Sequence, residues 1–406
     1  MIDFNQALEK ILAHSTTLGE ERLPLQDSLG CVLSQPIISK IDSPIFDNSA
    51  VDGFGVKIAD LVSASQSSPK VLQLIGTSAA GADENRLQIS PGTTVKILTG
   101  APVPAGVEAV VMREFCQEGK QEIAVGTSIQ LGENIRTKGA EFKAGQQVLA
   151  SGIKITPPVI GLLAALGYDK VPVYKLPKVG ILVTGDELVE PGNELKPGQI
   201  YNANAYALQA AIEALKFPVS RVLTIKDNLE ETKQALQLLL QESDVVVSTG
   251  GVSMGDYDYV KDAAESIGME TIFWKISIKP GKPVYFAKSQ AGKFLFGLPG
   301  NPVSTLVTFH QLVKPALLKM SGERIVPFKP TARLAKTLCK RAGRMEFVRG
   351  QLKVENNTLV AQPTVGQDSH MLTGLAMADG LIWFERDSEE ITEGQPVTCQ
   401  FLNWWQ

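Results

Sequence analysis

Between residues 171 and 322, short β-branched runs alternate with helical patterns, and this alternation constrains the fold more than any other feature of the chain. Strands are expected at Val179–Val183, Val219–Ile225, Val245–Ser248, Ile272–Ile276 and Phe294–Phe296. A helix is expected from Asn228, because Glu231 follows at capping-box spacing. Leu229, Leu236, Leu239 and Leu240 form its apolar stripe. Strands separated by helices build a parallel or mostly parallel sheet covered on both faces. The expected centre of the chain is therefore a doubly wound α/β domain.

The flanks read differently. Phe4, Ala7, Leu8, Ile11 and Leu12 sit at helical spacing, and a second short helix is expected over Ser28–Leu33. From about 45 to 135, short β runs recur at Val71–Ile75, Val95–Leu98, Val110–Met112 and Glu122–Val125. Gly, Pro and Ser turns separate them, as in a small β domain. Pro157 and Pro158 suit the first turn of a helix reaching Leu166. Beyond 322, β runs return at Thr331–Leu334, Glu346–Arg349, Leu359–Ala361, Leu381–Phe384 and Val397–Phe401, as in a small β barrel. The 406 residues exceed what one core supports. The expected division is 1–44 with 136–170 as an elongated linker domain, 45–135 as an inserted β domain, 171–322 as the α/β domain and 323–406 as the barrel.

Composition narrows the function. A formal net charge of −4 speaks against a nucleic-acid or anionic-membrane binder. Four scattered cysteines form no C-x-x-C pair, so neither a zinc site nor a disulfide framework is expected. The N-terminus lacks a basic region before an apolar run, and no apolar stretch approaches the ~18 residues of a membrane span. A cytoplasmic protein is the expectation.

In an open α/β sheet, ligands bind outside the carboxyl ends of the strands. Three expected strand ends carry acids: Asp186 and Glu187 in TGDEL, Asp227 after Ile225, and Asp256 and Asp258 in TGGVSMGDYDY. Carboxylates gathered in one crevice repel unless a cation joins them, and Mg²⁺ takes one or two carboxylates plus phosphate oxygens. Each acid alone reads equally well as a helix cap. Gly250-Gly251 allows close backbone approach and positive φ, so successive N–H groups can face an anion; a plain tight turn is the alternative. From 275 to 293 the chain carries five lysines and no acid. On a strand, Lys275 and Lys279 would share a face and seat an anion between them; a solvated edge is the alternative. GLPGNPVSTL reads as a rigid loop opening a helix at about Pro302, with free N–H groups. Acids for a metal and lysines for phosphates in one mouth suggest a phosphorylated substrate. No Ser-His-Asp or Cys-His arrangement is visible, and His310 on an apolar helix reads as a core residue.

Taken in order, FDNSAVDGFGV, LTGAPVPAG, GENIRTKGAEFKAG, VTGDEL, GQIYNAN, STGGVSMGDYDY, FWKISIKPGKP and GLPGNPVS resemble the MoeA family of molybdopterin molybdenumtransferases, which includes the E domain of gephyrin. EFVRG and QDSHML extend the match towards the C-terminus. The resemblance implies a homodimer of four-domain subunits. It implies insertion of molybdate into adenylylated molybdopterin, with release of AMP and with Mg²⁺ or another divalent cation assisting. It places catalytic roles on Asp52, Glu187, Asp227, Asp258, Lys275 and Lys279, and metal ligation on Asp186, Glu187, Asp227 and Asp258. Substrate contacts fall on Thr184, Gly185, Gly250, Gly251, Ser253, Pro299, Pro302, Arg349 and Ser369. Glu141 stands where the family often has Asp, and Asp368 adds a charge beside Ser369. Contacts with a molybdopterin adenylyltransferase and with molybdoenzyme maturation proteins follow from the same resemblance. Pterin adenylylation from ATP and a non-catalytic anchoring module are the competing readings.

Overall fold

A computed structural model describes residues 1–81, 87–252, 259–325, 328–402 and 404. The chain divides into two compact units. One comprises Gln35–Ser151 with Gly161–Tyr168, and the other Met1–Ser34, Gly152–Ile160 and Asp169–Gln406.

The first unit is built on a six-stranded mixed sheet. Its strands are β1 (Gly53–Val56), β2 (Lys70–Ser78), β3 (Thr93–Ile97), β4 (Ala109–Met112), β5 (Cys116–Glu118) and β6 (Glu122–Val125). The order is β4-β1-β3-β2-β6-β5, with β2 and β3 parallel and the other neighbours antiparallel. Phe54, Val56, Leu72, Val111, Ile123 and Val125 form one of its cores. Gly53 is required here: a Cβ would lie 2.1 Å from the Val111 carbonyl oxygen. The four β runs expected between 45 and 135 all fall within strands of this sheet, apart from Leu98 at an end.

The second unit opens with α1 (Phe4–His14), which buries Phe4, Ala7 and Ile11. Asp3 and Gln6 form a reciprocal capping box at its start. No helix covers Ser28–Leu33. A 3₁₀ turn at Leu25–Asp27 comes first, Gly30 takes φ +88°, and Val32 and Leu33 bridge to Lys154 and Val173. A left-handed residue inside so short a segment stops helix propagation. Helix α2 (Pro157–Ala165) begins at the predicted proline pair.

The central sheet contains β7 (Val179–Thr184), β8 (Val219–Ile225), β9 (Val245–Thr249), β10 (Glu270–Trp274), β11 (Tyr285–Lys288) and β12 (Phe294–Leu298), in the order β8-β7-β9-β12-β11-β10. The first four are parallel; β11 runs antiparallel to both β12 and β10. Strand β11 was absent from the sequence reading. Side chains alternate strictly between two cores. Ile181, Val183, Val245, Val247, Phe294 and Phe296 face one, while Leu182, Val246 and Leu295 face the other. This period of two leaves both faces apolar, which accounts for the continuous hydrophobic strands. Helix α3 (Ala203–Ala214) covers the first face; α4 (Leu229–Glu242) and α5 (Val260–Ser266) cover the second. Asn228 caps α4 by accepting from the N–H groups of Glu230 and Glu231, but Leu229 is exposed and drops out of the expected stripe. Helices α6 (Pro302–Thr308) and α7 (Lys314–Met320) flank one π turn at Phe309–Val313 and complete the first face.

Five further strands close into a barrel: β13 (Thr331–Leu334), β14 (Met345–Glu355), β15 (Thr358–Pro363), β16 (Gly380–Phe384) and β17 (Pro396–Phe401). The ring runs β14-β15-β13-β17-β16 and back to β14. Asn356 and Asn357 both have positive φ, as a two-residue hairpin with the right-handed twist of its strands requires. Helix α8 (Leu372–Ala376) precedes β16. No helix among the described residues is long and apolar enough to cross a membrane.

Candidate active site

Chain order leaves β7 for β8 on one side and then crosses to β9 on the other. Such a reversal opens a crevice at the carboxyl ends of the strands. A cleft of about 610 Å³ lies there. Of the residues singled out in the sequence, Thr184, Glu187, Asp227, Gly250, Gly251, Pro299 and Pro302 line it. Tyr201, Asn202, Asn204, Thr249, Pro283, Asn301 and His370 also line it, and sequence reasoning gave them no role. The asparagines lie in the stretches GQIYNAN and GLPGNPVS, so a signal was present.

Two of the expected acids, Glu187 and Asp227, line the cleft. The backbone N–H of Asp227 donates to Asp186 Oδ1 at 3.4 Å. Burial raises the Asp227 carboxyl above its ordinary range; Glu187 and Asp186 push the same way, and the Thr184 hydroxyl opposes them. Among the described residues, no group of three or more His, Cys, Asp or Glu is placed to hold a metal. Asp256, Asp258 and Ser253 lie outside the described residues.

Gly250 and Gly251 have φ values of +88° and +64°. A Cβ on Gly250 would lie 2.6 Å from the Thr184 carbonyl oxygen, so the turn hugs the end of β7. The Pro299–Pro302 loop is pinned through its carbonyls. Thr249 Oγ1 donates to Pro299 O at 3.0 Å, and Asn204 Nδ2 donates to Gly300 O at 2.7 Å. Asn301 Nδ2 reaches Ser369 Oγ at 3.1 Å, and the Val303 N–H donates to Ser369 O at 3.3 Å. The loop before α8 thereby meets the start of α6, and its His370 lines the cleft.

Several expected residues sit elsewhere or act differently. Gly185, Asp186, Lys275, Lys279, Arg349 and Ser369 do not line the cleft. Lys275 and Lys279 do not share a strand. Lys275 has φ +68° just past the end of β10, with its ammonium 3.7 Å from the centre of the Trp274 ring. Lys279 lies in a separate two-residue strand paired with Met345 and Glu346, and its Nζ is 3.1 Å from Glu346 Oε2. A long-range pairing therefore replaces the expected common face. Arg349 is 1 % exposed. Its guanidinium donates to Asp368 O at 3.2 Å and Gly366 O at 2.8 Å and so holds a loop, while its buried Nε has no partner among the described residues. In the other unit, Asp52 Oδ1 accepts from the N–H and the hydroxyl of Thr99, both at 2.7 Å. Those bonds hold the Asp52 carboxyl below the usual range. Glu141 Oε2 accepts from Ser43 Oγ at 2.8 Å.

Comparison with known proteins gives a consistent result along the whole chain. Residues 2–167 match the MoeA N-terminal region, residues 180–319 a probable molybdopterin binding domain, and residues 331–402 the MoeA C-terminal region. The chain is 36 % identical to a molybdopterin molybdenumtransferase of Haemophilus influenzae, over 99 % of each protein. It is 35 % identical to molybdopterin molybdenumtransferase 2 of Mycobacterium tuberculosis, over 92 % of each. A molybdopterin biosynthesis MoeA protein from Pyrococcus horikoshii has a similar structure, with a TM-score of 0.84 and 30 % identity, covering 99 % of this chain and 100 % of that one. With its relatives matched end to end, its α/β core and its closed barrel, the chain belongs to the MoeA family.

Proposed function

We propose that this protein transfers molybdenum into molybdopterin, taking molybdate and adenylylated molybdopterin as substrates and releasing AMP. The observation that carries the reading is the strand-end cleft, which Asp227 and Glu187 line together with the Gly250-Gly251 turn and the Pro299–Pro302 loop. The names of relatives matched over nearly the full chain support it. Adenylylation from ATP is not favoured by those names, and neither is a pure anchoring role.

The acids suit a divalent cation of the Mg²⁺ type. Such an ion needs only one or two carboxylates, with phosphate and water filling the remaining positions. Asp227, with Glu187 or Asp186, would hold it, and its charge would offset the burial that raises Asp227 and the smaller repulsion from its neighbours. When bound, such an ion would neutralise negative charge on the substrate's phosphates. The chain's own residues do the rest. The Gly250-Gly251 turn brings backbone close to the phosphates, and the pinned 299–302 loop forms a rigid wall. Water adds to one phosphorus of the anhydride and the P–O bond to the AMP leaving group breaks. Molybdate gives up one oxygen as water, taking up the two protons that the dithiol releases as its sulfurs bond to molybdenum. Ser369 and His370, held by Arg349 and Asn301, are assigned to the molybdate side. Lys275 and Lys279 lend positive charge at the rim rather than a shared anion seat. Asp258 and Ser253 keep the metal and substrate roles that the family resemblance gives them.

The working form is a homodimer in the cytoplasm, with Asp52 approaching the cleft from a second copy. An adenylyltransferase would supply the substrate, and maturation proteins would receive the product. The test is to incubate purified protein with adenylylated molybdopterin, molybdate and Mg²⁺, and to follow AMP and active cofactor. Formation of both, dependent on molybdate, is the expected result. AMP and cofactor at background levels would overturn the reading.

A further inference from the structure

We propose that Leu188 and Ile200 form the seat for the flat face of a fused heteroaromatic ring bound in the cleft. The two residues are register partners in a short parallel ribbon, Leu188–Val189 with Ile200–Tyr201. Side chains of register partners leave a ribbon on the same face. Both residues line the cleft, so that face is turned to it. Ile200 is 54 % exposed and Leu188 is half-buried, which leaves apolar surface open to a ligand. Leu188 also packs against the main core of the α/β domain, and this anchors the seat. The ribbon is tied at both ends. The Ile200 N–H donates to Glu187 O and the Asn202 N–H to Val189 O, each at 2.9 Å. Tyr201 Oη donates to Asn193 O at 2.9 Å, and Asn202 caps α3. A seat fixed in this way loses little freedom when a ligand arrives.

A single exposed isoleucine on an open surface is ordinary. Ile200 instead lines a cleft whose other walls carry carboxylates, asparagines and a glycine turn. Phosphate oxygens gain nothing from branched aliphatic side chains, whereas the flat face of an aromatic ring is relieved of water there. Leu188 directly follows Glu187, so the seat adjoins an acid assigned to the phosphate side. A ligand with a ring at one end and phosphate at the other matches that order. The inference rests on the functional reading above. Adenylylated molybdopterin carries two such rings, the pterin and the adenine, and the flat heteroaromatic face is their shared chemistry.

Equilibrium binding of AMP, pterin and ribose 5-phosphate to the purified protein tests the seat and names the ring. Ile200→Ser removes apolar surface from a side chain that is more than half exposed. AMP should weaken by about fivefold or more where adenine takes the seat, and pterin by as much where the pterin does. Ribose 5-phosphate, which has no ring, should change by less than about twofold. Ile200→Leu keeps an apolar side chain of the same size and should bind all three within about twofold of wild type. Should the serine variant fail to fold, Ile200→Ala carries the same expectations. Unchanged binding of both AMP and pterin in the serine variant overturns the proposal. So does a loss that ribose 5-phosphate shares, or one that Ile200→Leu shows equally. These outcomes leave the functional reading standing. Failure of AMP and pterin alike to bind the wild-type protein overturns that reading itself.

Discussion

The Asn301 side-chain amide donates to the Ser369 hydroxyl at 3.1 Å, joining the loop that opens α6 to the loop that carries His370. The second loop is supported from within by Arg349, whose two terminal nitrogens donate to Gly366 O and Asp368 O. Arg349→Lys keeps the charge and loses the fork. Two carbonyls then share one flexible ammonium, and the variant should be destabilised by about 1.5–3 kcal/mol. Turnover should fall further than the stability loss accounts for, because Ser369 and His370 lose their fixed position. Urea melts beside steady-state AMP release check this. Full turnover in a destabilised variant would remove the loop from the site.

Asp227 offers a trade between stability and activity. Its carboxyl value in the fold lies above its unfolded value, chiefly through burial. The sign follows directly: the folded state holds the proton more tightly, so ionisation opposes folding as pH rises through that window. Asp227→Asn removes the charge, and at neutral pH the variant should melt at or above the wild-type temperature. Its turnover should drop by about 100-fold or more, as expected when a carboxylate at the reacting centre is lost. A variant that melts lower and keeps its turnover would contradict both halves.

The central sheet was legible because its middle strands, β7, β9 and β12, are buried on both faces. Ile181, Leu182 and Val183 point alternately into two cores, and a run of apolar residues bounded by turns records that directly. The cleft was legible in part, since Thr184, Asp227 and Gly250 sit at strand ends where such sheets bind ligands. The lysines were not. Lys279 is positioned by pairing with Glu346, far away in sequence, and no local spacing encodes a tertiary contact. The loop contacts of Arg349 were hidden for a related reason. An arginine that folds its own loop by donating to carbonyls looks, in sequence, like one that binds an anion. Strand β11 was hidden because Tyr285–Lys288 follows a P-G-K-P turn and reads as loop.

Gly250 and Gly292 form a matched pair for testing the turn. Both have positive φ, at +88° and +80°, but a Cβ on Gly292 meets nothing within 4 Å. Gly292→Ala should therefore cost only the left-handed penalty, about 1–2 kcal/mol. Gly250→Ala adds the contact with Thr184 O and should cost at least about 1 kcal/mol more, with weaker substrate binding. Equal losses in the two variants would show that the end of β7 yields without cost.

His310 makes the stability of the fold depend on pH. It lies 3 % exposed in the π turn, with both ring nitrogens unpartnered among the described residues and Trp404 at 5.5 Å. Burial, reinforced by the charge of Lys314, lowers its value from 6.5 to about 3. The folded state therefore keeps the ring neutral where the unfolded chain takes up a proton. The contribution is intact above about pH 6.5 and is lost progressively as pH falls towards 3. At about pH 5 the loss should be about 2 kcal/mol. His310→Leu fills a similar volume and cannot titrate, so it should lose less stability than wild type between about pH 7.5 and about pH 5, by that margin. Denaturant melts of both proteins at the two pH values isolate the term, because every other group titrates alike in each. Parallel pH profiles would mean that the protonated ring finds an acceptor in the fold, and that its burial does not control its charge.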